Sequence, residues 1–324
     1  MRILLIKTTS LGDVIHNLPV ISDLRASLPA SRIDWCVEET FAEIPRLHPA
    51  VEQVIPVAIR RWRKTLAARA TWREIIAFRR RIAAVAYDCV LDTQGLLKSA
   101  LIARLARGRR CGYAAEAARE PWAARCYDAT FVIPRNVHAV LRNRWLAAAA
   151  FDYPVDLPLD YGLSAAASAA AASAPAGAGD RAGPVAVLLT ATSREDKLWD
   201  ERCWCALALA LVERGLMPVL PAGTAVERQR AERIVNAVPG TRVAPPLSLT
   251  ELAALLAGAR VVVGVDTGLV HLAAALRVPV VALFTATDPE LTGVLGAGFC
   301  RNLGGKGQAP TVAEVLPVVD QALR

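Results

Sequence analysis

Val261-Val262-Val263-Gly264-Val265-Asp266-Thr267-Gly268-Leu269-Val270-His271-Leu272-Ala273-Ala274-Ala275 is the stretch that decides the fold. It opens as a β-branched apolar run, the signature of a strand buried on both faces of a parallel sheet. It breaks at Asp-Thr-Gly and resumes as an Ala-rich helical pattern. Asp266 is placed to cap that helix, Thr267 and Gly268 leave backbone N–H groups free at its start, and His271 follows one turn in. A helix N-terminus at the carboxyl end of a parallel strand suits an anion such as a phosphate. A plain strand-to-helix turn has the same local pattern, so the rest of the chain has to choose.

Outward from this stretch the same alternation recurs. Strands are expected at 185–190, 217–221, near Val243 and at 278–285, with helices at 200–214, 226–238 and 249–257. Residues 1–160 alternate likewise: strands at 2–8, 32–37, 51–57 and 88–92, and helices at 13–28 (stopped by Pro29), 69–86 and 95–106. Alternating strands and helices imply parallel sheets with crossover helices. An Ala/Ser/Gly/Pro-rich break at 164–184 reads as a linker between domains 1–163 and 185–324, with the last helix expected to pack back on the first domain. The expected architecture is α/β: two doubly wound, Rossmann-like domains facing across a cleft, with ligands at the strand carboxyl ends.

A chain of 324 residues with 54% hydrophobic residues supports two such cores and excludes a disordered protein. The seven cysteines form no regular framework, and Cys203-Trp204-Cys205 is too tight for a zinc knuckle. Reduced thiols in a cytoplasmic protein are expected, with no metal site. The apolar run from Ile3 to Ile6 reads as a first strand rather than a leader, and no apolar run reaches the ~18 residues of a spanning helix. Charge is concentrated: residues 59–81 hold nine basic side chains and one acid, Glu74, which alone accounts for the net charge of +8. Trp62 and Trp72 are interleaved. This segment suits a solvated face, a phosphorylated or carboxylated acceptor, or anionic lipid, where each cation contributes roughly 1 kcal/mol. A nucleic-acid-binding module is the competitor from another class, although such proteins usually spread positive charge over many elements.

The chain has no Gly-x-Gly-x-x-Gly and no P-loop, which weakens dehydrogenase and NTPase readings. Without Asp-x-Asp, a bound diphosphate must be neutralised by N–H groups and side-chain cations. In Lys7-Thr8-Thr9-Ser10-Leu11-Gly12-Asp13, Asp13 sits at a strand-to-helix junction, either complementing the helix dipole or serving as a general base. In Thr192-Ser193-Arg194-Glu195-Asp196-Lys197 the lysine reads as a point charge for a phosphate or as part of a solvated loop. Glu227, after Pro221-Ala222-Gly223, reads as a ribose ligand or a helix cap.

Residues 2–16, Arg-Ile-Leu-Leu-Ile-Lys-Thr-Thr-Ser-Leu-Gly-Asp-Val-Ile-His, resemble the N-terminal signature of the bacterial lipopolysaccharide heptosyltransferases, glycosyltransferase family nine. The Asp-Thr-Gly-x-x-His of 266–271 resembles their donor-site signature. Further similar segments are 34–39, 41–45, 54–64, Asp92-Thr93-Gln94-Gly95-Leu96-Leu97-Lys98-Ser99, 118–121 and Asp196-Lys197-x-Trp199. The resemblance implies a GT-B fold and inverting transfer of L-glycero-D-manno-heptose from ADP-heptose to the Kdo residue of Kdo-lipid A. A heptosylated acceptor is the alternative. It implies Asp13 as the base, and Lys197, Thr192 and Ser193 on the diphosphate, with Asp266, Thr267, Gly268 and His271 around it. It further implies Glu227 at the ribose, Leu247 (methionine in a relative) at the adenine, and Arg60, Arg61, Arg63, Lys64, Lys98 and Arg119 facing the acceptor. Ser193 replaces a common threonine and keeps its hydroxyl, whereas Pro-Ala-Gly in place of Pro-Trp-Gly removes an aromatic wall. No cofactor is implied, and the expected place of work is the cytoplasmic face of the inner membrane.

Overall fold

The computed structural model describes residues 1–163 and 183–324. The expected linker thus lies outside the described residues, apart from Gly183 and Pro184. The chain divides into two compact units, Met1–Gly162 and Leu163–Arg324.

The first unit is built on β1 (Arg2–Ile6), β2 (Arg32–Glu38), β3 (Val51–Val57), β4 (Ala86–Asp92), β5 (Arg107–Tyr113) and β6 (Ala129–Phe131), in the order β3-β2-β1-β4-β5-β6. The second repeats that order with β7 (Val185–Leu189), β8 (Met217–Leu220), β9 (Arg242–Val243), β10 (Val261–Val265), β11 (Val280–Phe284) and β12 (Cys300–Gly304), as β12-β11-β10-β7-β8-β9. All the pairings between these strands are parallel. Each sheet reverses its winding direction once, between β1 and β4 and between β7 and β10. These are the switch points at which doubly wound sheets bind ligands.

The central strands are apolar on both faces because helices cover both. In the second unit Ala186, Leu188, Val261, Val263, Val265, Val281 and Leu283 point to one face and pack with Trp204, Leu207 and Leu211 of the helix Glu201–Glu213. The last helix, Val312–Leu323, buries Val315 and Val319 in this same core. In the first unit Leu4, Ile6, Cys36 and Val90 pack with Phe78 and Ile82 of the helix Arg69–Ala83.

One expected helix is two. Residues 13–28 carry a continuous helical period, but the structure has Leu11–Ile15 and then Leu18–Ser27. Pro19 explains the break: without an N–H, and with a ring that clashes with the preceding turn, it is tolerated only at a helix start. Strands β5, β6 and β12 had no sequence signal, since Arg107-Gly108-Arg109-Arg110 and Cys300-Arg301-Asn302 lack the apolar run of a central strand.

Gly264 in β10 is required by close packing. A Cβ there would lie 2.6 Å from Val270 Cγ1 and 2.7 Å from Leu189 Cβ, both buried. Gly264→Ala is expected to cost about 1–3 kcal/mol and lower the melting midpoint by several degrees. Gly305→Ala, where a Cβ meets open space, should leave the midpoint unchanged; scanning calorimetry compares the two.

Candidate active site

In the first unit the chain leaves β1 through Lys7 and a polar turn into the short helix Leu11–Ile15. Asp13 caps that helix: its Oδ2 accepts from Ser10 N (2.8 Å) and Ser10 Oγ (3.1 Å), leaving Oδ1 without a partner among the described residues. The structural and chemical readings of Asp13 therefore coexist. Across the switch point, Gln94 after β4 locks the turn. Its Oε1 accepts from Thr8 N (2.7 Å) and Thr8 Oγ1 (2.8 Å), and its Nε2 donates to Thr9 O (2.8 Å). Lys98 Nζ donates to Thr9 Oγ1 at 2.9 Å.

Asp13 opens on a small cavity of about 40 Å³, lined also by Lys7, Tyr113, Arg119, Arg142 and Asn143. That is room for about one water or hydroxyl group. The Lys7 ammonium is buried and donates to Thr93 O (2.9 Å) and Asn143 Oδ1 (3.3 Å). Burial pushes its pKa down to about 8, with Asp13 pulling the other way. For Asp13, burial alone would raise the carboxyl, but the charges of Lys7 and Arg119 and the Ser10 hydrogen bonds outweigh it and hold the group below its ordinary value. Asp13 is therefore a carboxylate at neutral pH, able to accept a proton within a cationic pocket.

The structure divides the expected acceptor cations. Arg63 and Lys64 are exposed, and the Arg60 guanidinium lies 5.1 Å from the Phe41 ring centre. Two of them are committed elsewhere. Arg61 is held by Glu39 (2.9 Å) and Glu74 (2.8 Å). Arg119 lies 3.8 Å from Asp13, so it belongs first to the carboxylate pocket. The acids that neutralise Arg61 come partly from the loop after β2, which a count of residues 59–81 alone does not include.

In the second unit three loops at the strand carboxyl ends are knit together around Asp266. Its Oδ2 accepts from Lys197 Nζ (2.6 Å) and Thr287 Oγ1 (2.7 Å), and its carbonyl accepts from Thr192 Oγ1 (2.9 Å). Thr285 Oγ1 donates to Asp196 O at 2.8 Å. Asp266 is not the helix cap expected of it. The N-cap of the helix Gly268–Ala275 is Thr267, whose side chain makes no capping bond. The physical reason is the lysine: Asp266 is turned to a full positive charge, a stronger partner than a backbone N–H. The helix start thus presents N–H groups capped by no side chain, beside an ammonium, at the β7/β10 switch point. Ser193 is exposed and His271 is buried on the same helix.

Glu227 caps the helix Ala225–Ala237: its Oε2 accepts from Gly223 N (2.7 Å) and Thr224 N (3.2 Å), while Thr224 Oγ1 accepts from Glu227 N. Leu247 packs on Met217, Val219 and Ala244 beside β8 and β9. Ala222 of the Pro-Ala-Gly turn packs against the core. From β10 through β7 and β8 to β9 is three strand spacings, about 14 Å, a span an extended nucleoside diphosphate can bridge. A larger cavity of about 940 Å³, lined by Trp199, Arg202, Arg230, Thr285 and Thr311 among others, includes none of the expected donor residues. Among the described residues no group of three or more His, Cys, Asp or Glu is arranged to hold a metal ion.

Sequence reasoning assigned no role to Lys7, Gln94, Arg142, Asn143, Thr285 or Thr287. Gln94 was legible in principle, because it follows the strand on the other side of the switch point from β1. Asn143, on the helix Ala139–Phe151, gives no local signal.

Two doubly wound units, one with an ionised carboxylate and one with a lysine and a helix N-terminus at their switch points, match the GT-B fold found among glycosyltransferases. A family model described as glycosyltransferase family 9 (heptosyltransferase) matches residues 75–315. The lipopolysaccharide heptosyltransferase 1 of Pseudomonas aeruginosa is 46% identical over 300 residues, 91% of this chain and 82% of that protein. The structure of E. coli heptosyltransferase WaaC with ADP is 40% identical, covering 99% of this chain and 100% of that one, with a TM-score of 0.91. The structure of E. coli ADP-heptose lps heptosyltransferase II has a TM-score of 0.79 over 100% of this chain and 98% of that one, but at 22% identity it shows the shared fold alone. The chain belongs to glycosyltransferase family 9, the heptosyltransferases.

Because Lys7 is the largest influence holding the Asp13 carboxyl down, Lys7→Met should raise its pKa. Titration of the Asp13 carboxyl by carbon NMR in both proteins checks this. A lowered carboxyl contributes stability that is complete above its ordinary value of 3.8 and is lost as pH falls through its lower folded value. Lys7→Met should therefore lose part of this Asp13-linked stability above pH 3.8, and the difference between the two proteins should shrink as pH falls through the folded value.

Proposed function

We propose that the protein moves L-glycero-D-manno-heptose from ADP-heptose to the Kdo residue of Kdo-lipid A, in a single inverting displacement without a resident metal. Asp13 takes the proton of the acceptor hydroxyl as that oxygen attacks the anomeric carbon and the bond from the carbon to the ADP oxygen breaks. The electron pair leaves with ADP, whose developing charge is met by Lys197, the hydroxyl of Ser193, that of Thr192 once it turns from the Asp266 carbonyl, and the N–H groups at Thr267 and Gly268. Glu227 keeps Oε1 for a ribose hydroxyl while Oε2 caps its helix, and Leu247 offers an apolar surface to the adenine. Arg60, Arg63, Lys64 and Lys98 meet the phosphates and carboxylates of the acceptor. The proposed place of work is the cytoplasmic face of the inner membrane; among the described residues no helix is long and apolar enough to cross a membrane.

The observation that carries this reading is the Lys197–Asp266 pair beside the side-chain-uncapped start of the helix Gly268–Ala275. It supplies the neutralisation that a diphosphate leaving group needs where no Asp-x-Asp supports a bridging metal. The 46% identity to a lipopolysaccharide heptosyltransferase 1 supports heptose transfer in lipopolysaccharide synthesis.

The decisive assay offers purified protein ADP-heptose with Kdo-lipid A and, separately, with an already heptosylated acceptor. Transfer to the first is expected, and preferential transfer to the second would overturn the acceptor assignment. Asp13→Ala is expected to abolish transfer while leaving ADP affinity, read by calorimetry, near that of the unmodified protein. Near-normal turnover in that variant would remove Asp13 as the base.

A further inference from the structure

The helix Arg69–Ala83 turns Thr71, Phe78 and Ile82 inward. Its outer side carries Trp72 and Ile76, one turn apart and 53% and 45% exposed, and Leu66 of the preceding loop is 52% exposed. Trp72 Nε1 donates to Leu66 O at 2.8 Å, which brings the three apolar residues together. At 100° per residue, Arg79 flanks the Trp72–Ile76 strip on one side and Arg69, Arg73 and Arg80 flank it on the other. These four arginines are exposed and make no ion pair or side-chain hydrogen bond among the described residues. The only acid of the helix, Glu74, faces away from the strip toward Arg61 and Trp62 Nε1 (both 2.8 Å).

An apolar strip between unpaired guanidiniums matches the chemistry of a surface that is anionic outside and apolar a few ångströms further in. We infer that this helix face docks on an anionic phospholipid bilayer, Leu66, Trp72 and Ile76 entering the boundary between headgroups and acyl chains while Arg69, Arg73, Arg79 and Arg80 meet the phosphates. Aliphatic Leu66 and Ile76 gain burial in a bilayer that a nucleic-acid backbone does not offer. The inference rests on the proposed function for its purpose, since a lipid-borne acceptor has to be met at a membrane. Glu74 ties the docking helix to Arg61 and Trp62 of the short helix Ile59–Trp62, so Arg60, Arg63 and Lys64 are held beside the surface that carries the acceptor.

The test uses the full chain and vesicles free of lipid A, of phosphatidylcholine alone or mixed with phosphatidylglycerol. Binding is expected to the anionic vesicles and only weakly to the neutral ones, with a blue shift of tryptophan emission. Trp72→Ser/Ile76→Ser should weaken anionic-vesicle binding on the order of tenfold or more. Arg69→Gln/Arg73→Gln/Arg80→Gln should weaken it on the order of a hundredfold at low salt, roughly five-fold per cation. Both variants should keep an unchanged circular dichroism spectrum and normal transfer to a deacylated, water-soluble Kdo acceptor. Equal vesicle binding by the variants and the unmodified protein overturns the inference. So does binding to duplex DNA or to an acidic protein in the absence of vesicle binding. If transfer proceeds but vesicle binding ignores the strip, the surface fails and the activity stands. If vesicle binding depends on the strip but no acceptor is heptosylated, the surface stands and the activity fails.

Discussion

Parallel strands that wind outward in both directions from one strand leave a gap in helix cover at the point of reversal, and everything functional in this protein depends on that gap. In the first unit it lies between β1 and β4, in the second between β7 and β10. The loops leaving the two flanking strands run to crossover helices on opposite faces of the sheet, so a crevice opens between them and their first residues meet across it. Thr8, Thr9 and Gln94 meet across the first reversal, and Thr192, Lys197 and Asp266 across the second.

Charge at the two reversals is arranged in opposite ways. In the first unit a carboxylate is surrounded by cations, and Lys7 itself accepts the cost of burial so that Asp13 remains ionised. In the second an ammonium is steadied by one carboxylate and set at the positive end of a helix. One environment suits proton removal and the other suits the arrival of negative charge, so each unit is chemically specialised although the strand order is shared.

Much of this was legible in the chain. The β-branched runs of β1 and β10 announce strands covered on both sides, and alternation announces crossovers. Asp13 and Lys197 stand out as charged residues just after such strands. What was illegible had identifiable causes. Pro19 split a helix whose apolar period runs on unbroken. Arg107–Tyr113 forms β5 by pairing with β4, with no apolar run of its own. Arg61 looked like a free cation until Glu39 and Glu74 were brought to it from outside and inside its own segment.

By itself, then, the sequence determined the class of fold, the strand ends at which chemistry occurs and the residue types available there, because hydrophobic period and turn chemistry are local properties. Only the tertiary structure decided the pairings: Asp266 to Lys197 rather than to its own helix, Arg119 to Asp13, and Lys7 to Thr93 and Asn143. Those choices depend on distances between residues from about 70 to more than 130 positions apart. They also depend on which charges lose their water when the sheets and helices close over them.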